Sequence, residues 1–210
     1  MNWFDGLMAR LWPMSDVLPK SSRYTVAAIT LHWVSALAIV SMLGLGWFMA
    51  DLPLSPQRLK LYNWHKWAGV LVLGVSLVRL LWRWTHRPPV LPRHVVEQTP
   101  AWQVRVAGAT HMALYGLLLV VPMIGWAYSS AAGFPVVVFG VLPLPDLLPK
   151  DKVWADLIKP LHALGAYTLC VLAALHAAAA VKHQLLDKDG LMQRMWPARA
   201  PAGAAVDPLP

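Results

Sequence analysis

Four stretches of this chain stay apolar for about 20 residues or more, the length needed to cross the hydrocarbon of a bilayer. They run from roughly 25 to 50, 64 to 84, 105 to 131 and 157 to 182. In lipid every backbone N–H and C=O must find its partner inside the segment, so each of these runs is expected to be a helix. The composition agrees: 58% of residues are hydrophobic, 13% are charged and twelve are Trp, far from the averages of a soluble domain. The expected fold is all-α, an integral membrane four-helix bundle.

The connections sharpen that expectation. The first, about 51 to 63, is short and carries Pro53 and Pro56, so the first two helices should be antiparallel neighbours. The second, about 85 to 104, is polar and holds Pro88, Pro89, Pro92 and Pro100. The third, about 132 to 156, encloses the apolar stretch Val136 to Leu142 between prolines; it is too short to span and reads as a lid or interfacial segment. The only cysteine, Cys170, sits within an apolar run, which excludes disulfides and CxxC redox chemistry. Any redox work therefore needs a cofactor.

The formal charge of +8 is explained by topology and not by nucleic acid, because the basic residues flank apolar runs instead of forming a polar, aromatic-interleaved stripe. With the N-terminus inside, twelve Lys and Arg fall on the inner side and six on the outer. That bias favours cytoplasmic N and C termini. The first long apolar run begins after residue 24, exceeds a signal h-region and lacks a clear small-residue cleavage site, so it is expected to remain as a span. Three parts follow: a segment 1–23 in which Trp3, Phe4, Leu7, Met8, Leu11 and Trp12 recur at helical spacing, as in an interfacial helix; a transmembrane domain 24–184; and a cytoplasmic tail 185–210, Ala- and Pro-rich at its end and expected to be partly disordered.

Five of the eight histidines, His32, His65, His111, His162 and His176, fall within or at the edge of the spans, where ionisable side chains are costly and usually functional. His162 and His176 are fourteen residues apart on the fourth helix, about 21 Å along its axis, so they cannot share one small site. Fourteen residues are two heptads, which puts both on one interior seam at two depths. By depth and helix direction, His32 matches His176 on the inner side and His65 matches His162 on the outer side. Facing imidazoles from two helices ligate a planar haem from both faces and leave no open iron position. Zinc is less suited, since each pair lacks the carboxylates or thiolates that would complete a tetrahedron. Small residues near these levels, among them Gly69, Gly116 and Gly165, offer room for a porphyrin or simply bring helices together.

The strings LHW at 31–33, NWHKWAG at 63–69, LVRLLWR at 77–83, LHALGAY at 161–167 and LHAAAAVKH at 175–183, with DKDGLMQRMWP after the last helix, resemble the bacterial cytochrome b561 family over residues 24–196. That resemblance implies two haem b groups ligated by His32, His65, His162 and His176. It also implies electron transfer linked to ubiquinone in the bacterial inner membrane, with superoxide oxidation on the outer side as the best-described activity. Related cytochromes serve as membrane subunits of nickel hydrogenases. The family's histidine matching His183 is associated with ubiquinone.

Lesser candidates surround the four ligands. His183, seven residues beyond His176, is placed one heptad nearer the cytoplasm, where it would donate to a quinone carbonyl or a haem propionate, or simply be solvated. Arg79 and Arg83 share a face near the inner boundary, suiting propionates or serving topology alone. His111 is a possible propionate contact. Outer-side Lys60, Lys66, Lys150, Lys152 and Lys159 would draw a small anion, diluted by Asp146, Asp151 and Asp156. The favoured activity is a superoxide:ubiquinone type oxidoreductase. The alternatives are a cytochrome b anchor subunit serving a hydrogenase or dehydrogenase partner, and a haem-free transporter or proton path.

Overall fold

The protein is described here from a computed structural model, over residues 23–197. Expectations for the interfacial segment before residue 23 and for the tail beyond 197 lie outside the described residues. Among the described residues five α-helices occur in chain order: α1 (Val26–Asp51), α2 (Pro56–Thr85), the short α3 (Arg93–Gln98), α4 (Ala101–Ala131) and α5 (Lys152–Lys182). Four of them are long and apolar enough to cross a membrane. Large apolar side chains point outward along them, with Val26, Leu37, Val40 and Trp84 each at least 70% exposed. In water such a surface would drive association; in a bilayer it meets lipid.

Helix ends follow local chemistry more than hydropathy. Ser55 caps α2, accepting from the Arg58 N–H at 3.2 Å, and Pro56 takes the first helical position, where its missing N–H costs nothing. Asp151 caps α5 with bonds from Val153 and Trp154 N–H. Helices α2, α4 and α5 thus begin eight, four and five residues before the apolar runs do, because hydropathy marks the oily part of a span and not its solvated first turns. Polar side chains inside the spans are satisfied locally: Ser35, Ser76 and Thr168 each donate to the carbonyl four residues back.

Helix α1 packs on α2, α2 on α4, and α4 on α5. The backbone of α5 stands further from α1 and α2, and it is across those two wider gaps that histidines face one another. The two ends of the bundle close differently. At one end the chain between α4 and α5 folds into a small hairpin, in which β1 (Val137–Val138) pairs antiparallel with β2 (Leu142–Pro143). The hairpin's root, Val136, is 2% exposed. Lys66 donates to the carbonyls of Phe134 and Pro135, and the Trp67 indole to that of Val137 at 2.6 Å.

At the other end α5 finishes in a wide π turn, His183–Asp187, and Lys188 and Gly190 take left-handed backbone conformations. The following strap, residues 191–197, folds back on the helix ends. Arg194, 6% exposed, donates to the carbonyls of Pro89 and Val90 at 2.9 and 2.8 Å. The Trp33 indole donates to Met195 O, and the Arg23 guanidinium to Trp196 O. Burial pulls the Arg194 pKa below its ordinary value, with Tyr24 opposing that shift. Residues before 185 and after it therefore meet in one packed end.

Candidate functional site

The fourteen-residue spacing on α5 places His162 and His176 at the two ends of one helix, and each meets a histidine from another helix. His65 of α2 lies across from His162 with ring centres 6.3 Å apart. His32 of α1 lies across from His176 at 6.2 Å. An iron sandwiched between two imidazoles needs ring centres about 6.4 Å apart, from two metal–nitrogen bonds of about 2 Å and about 1.2 Å from each nitrogen to its ring centre. Both pairs meet that measure. They also span the gaps where the α5 backbone is held away from α1 and α2.

The pair at the hairpin end opens into a cavity of 630 Å³ lined by His65, His162, Gly69, Gly125 and Trp126, with Phe134 and Val136 of the lid above it. That volume is in the range of small-molecule and cofactor pockets. His65 sits nine residues into α2 and His162 ten residues into α5, so both lie in the third turn and not in the first or second, as the apolar runs alone imply. The His162 Nδ1–H donates to the Val121 carbonyl at 3.1 Å, leaving the other ring nitrogen with its lone pair free for a metal. Val121 immediately precedes Pro122, a proline within α4 that withholds a helix donor and loosens the backbone there. The Nδ1 of His65 is buried with no hydrogen-bond partner.

Gly125 is the residue that sequence reasoning missed. A Cβ added there would lie 2.8 Å from His162 Cε1 and 3.1 Å from its Nδ1, so no larger residue leaves the imidazole where it is. Gly116, noted in the sequence, has open space instead, as do Gly44 and Gly74. The only signal in the sequence was a glycine three residues after a proline in an apolar run.

The other pair is more crowded. Arg79 Nη2 donates to His32 Nδ1 at 2.9 Å, and its guanidinium lies 5.0 Å from the Tyr115 ring centre. His111 is held by its own helix, Nδ1–H to Ala107 O at 2.7 Å, and its ring centre is 5.0 Å from that of His176. That is closer than an intervening iron permits, so His111 packs edge to face against His176 and does not form a further couple with it. Arg79, Arg83, Arg87 and Arg23 line an adjoining pocket of 300 Å³ with Tyr115 and Trp82. His183 turns to Asp189, 2.6 Å from Nδ1, with Asp187 at 3.1 Å. Of the lysines expected on the outer side, Lys66 is pinned to the lid, Lys60 lies over the Trp64 ring, Lys152 pairs with Asp156, and Lys159 lines the large cavity.

The comparisons with known proteins bear on what these pairs hold. A family model described as prokaryotic cytochrome b561 matches residues 23–198. Cytochrome b561 homolog 2 of Escherichia coli (strain K12) is 34% identical over 175 residues, covering 82% of this chain and 90% of that protein. Cytochrome b561 homolog 1 of the same organism is 30% identical over 182 residues, 85% and 99% of the two chains. A probable superoxide oxidase CybB of Yersinia pestis is 27% identical over 180 residues, 83% and 96% of the two. The matched segment is the described bundle almost residue for residue, so this chain, a multi-pass bacterial membrane protein, belongs to the prokaryotic cytochrome b561 family of b-haem electron-transfer proteins.

Proposed function

We propose that the chain is an inner-membrane oxidoreductase that holds two b haems and carries electrons from a donor at the hairpin end, superoxide in the favoured case, to ubiquinone at the opposite end. The observation that carries this reading is the pair of imidazole couples at 6.2 and 6.3 Å on one shared helix. In it His65 with His162, and His32 with His176, would hold the two haems. When bound, each haem would supply a one-electron carrier.

The chain's own residues do the rest. The lid roofs the larger cavity, and Lys66 and Lys159 place positive charge there for an anionic donor. A relative named probable superoxide oxidase supports that choice. In the proposed reaction two superoxide ions each lose one electron to give two molecules of dioxygen, and ubiquinone takes up two electrons and two protons. His183, bonded through Nδ1 to Asp189, is the residue assigned to the quinone site, where its other ring nitrogen accepts from the hydroxyl of the reduced quinone. Arg79, Arg83 and His111 remain the groups nearest the inner haem's propionates. The positive-inside bias of twelve to six orients the hairpin outward, with residues 24–184 as the membrane domain and 185–210 on the cytoplasmic side.

Reduced and oxidised spectra with haem quantification on purified protein test the assignment: two bis-imidazole haems per chain are expected, and a colourless folded preparation would favour a transporter or proton path. Superoxide consumption coupled to ubiquinone reduction tests the reaction. One feature favours the second reading, an anchor subunit for a dehydrogenase or hydrogenase: the hairpin tip exposes Phe139, Val141 and Leu142 at 61%, 81% and 59%, an apolar surface a partner would cover. Copurification of a large partner, with no superoxide activity in the isolated chain, is the result that reading expects.

A further inference from the structure

The two imidazole couples have opposite second partners. At the hairpin end the ligand proton of His162 is drawn toward a carbonyl oxygen, Val121 O at 3.1 Å, which makes the ring a stronger electron donor to any metal it binds. At the other end a permanent cation touches the ligand ring, Arg79 Nη2 at 2.9 Å from His32 Nδ1. A positive charge beside a centre favours its reduced form.

Cations line the hairpin cavity too, Arg58, Lys66 and Lys159, but their charge stands on the cavity wall, with Arg58 on the Tyr62 hydroxyl and Lys66 on two lid carbonyls. Arg79 differs in that its partner is the imidazole itself. Arg83 lines the pocket beside it, and no Asp or Glu is among the residues lining either cavity. A histidine whose one ring nitrogen takes iron carries its proton on the other, so ligation obliges the guanidinium to yield the Nδ1 contact. The Tyr115 face, 5.0 Å away, keeps the charge within Coulomb reach of the ring.

We propose that Gly125 and Arg79 are positioning residues that set the order of the two redox centres, Gly125 by letting His162 reach the Val121 carbonyl and Arg79 by keeping a cation over the Tyr115 ring, beside His32. The hairpin-end centre is then the lower in potential and the arginine-end centre the higher, and electrons run downhill from the lid to the arginine pocket. This rests on the two-haem reading above.

The test is a spectroelectrochemical titration of the purified, haem-loaded protein and its variants in lipid nanodiscs. Two waves are expected, and His65→Ala should delete the lower one. Arg79→Gln should move the upper wave alone downward, costing at least about tenfold in the equilibrium constant for transfer between the centres, or about 59 mV; Arg79→Lys should keep most of the separation. Gly125→Ala should move the lower wave alone upward, whereas Gly116→Ala, whose new Cβ meets nothing within 4 Å, should move neither. An upper wave unmoved by Arg79→Gln, or an upper wave that disappears in His65→Ala, overturns the inference while two haems per chain leave the two-haem reading standing. A wild-type preparation with one haem or none sinks that reading instead. Should Gly125→Ala shed its haem, the arginine arm still decides the order.

Discussion

The hairpin end and the arginine end of this bundle solve the same problem with different materials. Each brings two imidazoles to ring-centre distances of 6.2 and 6.3 Å across a gap between helices. The hairpin end does so with space: a cavity of 630 Å³, a glycine that gives His162 its place, and a lid that is local in sequence and tied down by two neighbours of His65. The arginine end does so with contacts: Arg79 on His32, His111 against His176, and a strap brought from the far end of the chain. An open cavity roofed by a lid suits a site that exchanges a small reactant, whereas a packed, cationic end suits one that retains charge.

The strongest way to break this comparison is to remove one ligand at a time. His162→Ala and His32→Ala should each lose half of the haem absorbance and abolish transfer end to end, as read by haem quantification. If either variant loses both haems or neither, the two ends are not independent sites. Next in size is Arg194→Ala, which strips two bonds from the part-buried Pro89 and Val90 carbonyls. It should destabilise the protein by about 2–3 kcal/mol in denaturant unfolding from mixed micelles, and raise amide exchange in residues 191–196 without touching the hairpin.

Smaller still is Trp67→Phe, which removes the 2.6 Å bond to Val137 O. It should cost about 1 kcal/mol and speed exchange at the hairpin amides alone, sharpening the distinction between a locally held lid and a strap held at long range. Last, Lys152→Ala removes an exposed i,i+4 pair with Asp156 and should change neither unfolding nor haem content, because solvent already screens such pairs. A clear loss there would mean that the start of α5 matters more than its exposure implies.

Much of the architecture was legible because lipid leaves few choices. Runs of about 20 apolar residues have to be helices, and all four appear. What hydropathy placed poorly were helix starts: Pro56 reads as a loop residue by type, yet it opens α2 behind the Ser55 cap. The short α3 was hidden among prolines, since a six-residue helix leaves too little periodicity to detect. The cross-helix meeting of His32 with His176 and of His65 with His162 was readable because one helix carries two of the four and heptad arithmetic keeps both on one seam.

By itself the sequence determined which segments enter the membrane, which ionisable residues they carry, and the two levels at which those residues lie. Only the tertiary structure decided that Gly125 makes room for His162, that Arg79 rests on His32, that His111 crowds His176, and that a terminal strap closes one end. The physical reason is range. Hydropathy and spacing report on one helix at a time, while each of these contacts depends on how far apart two helices stand and how they are turned toward each other.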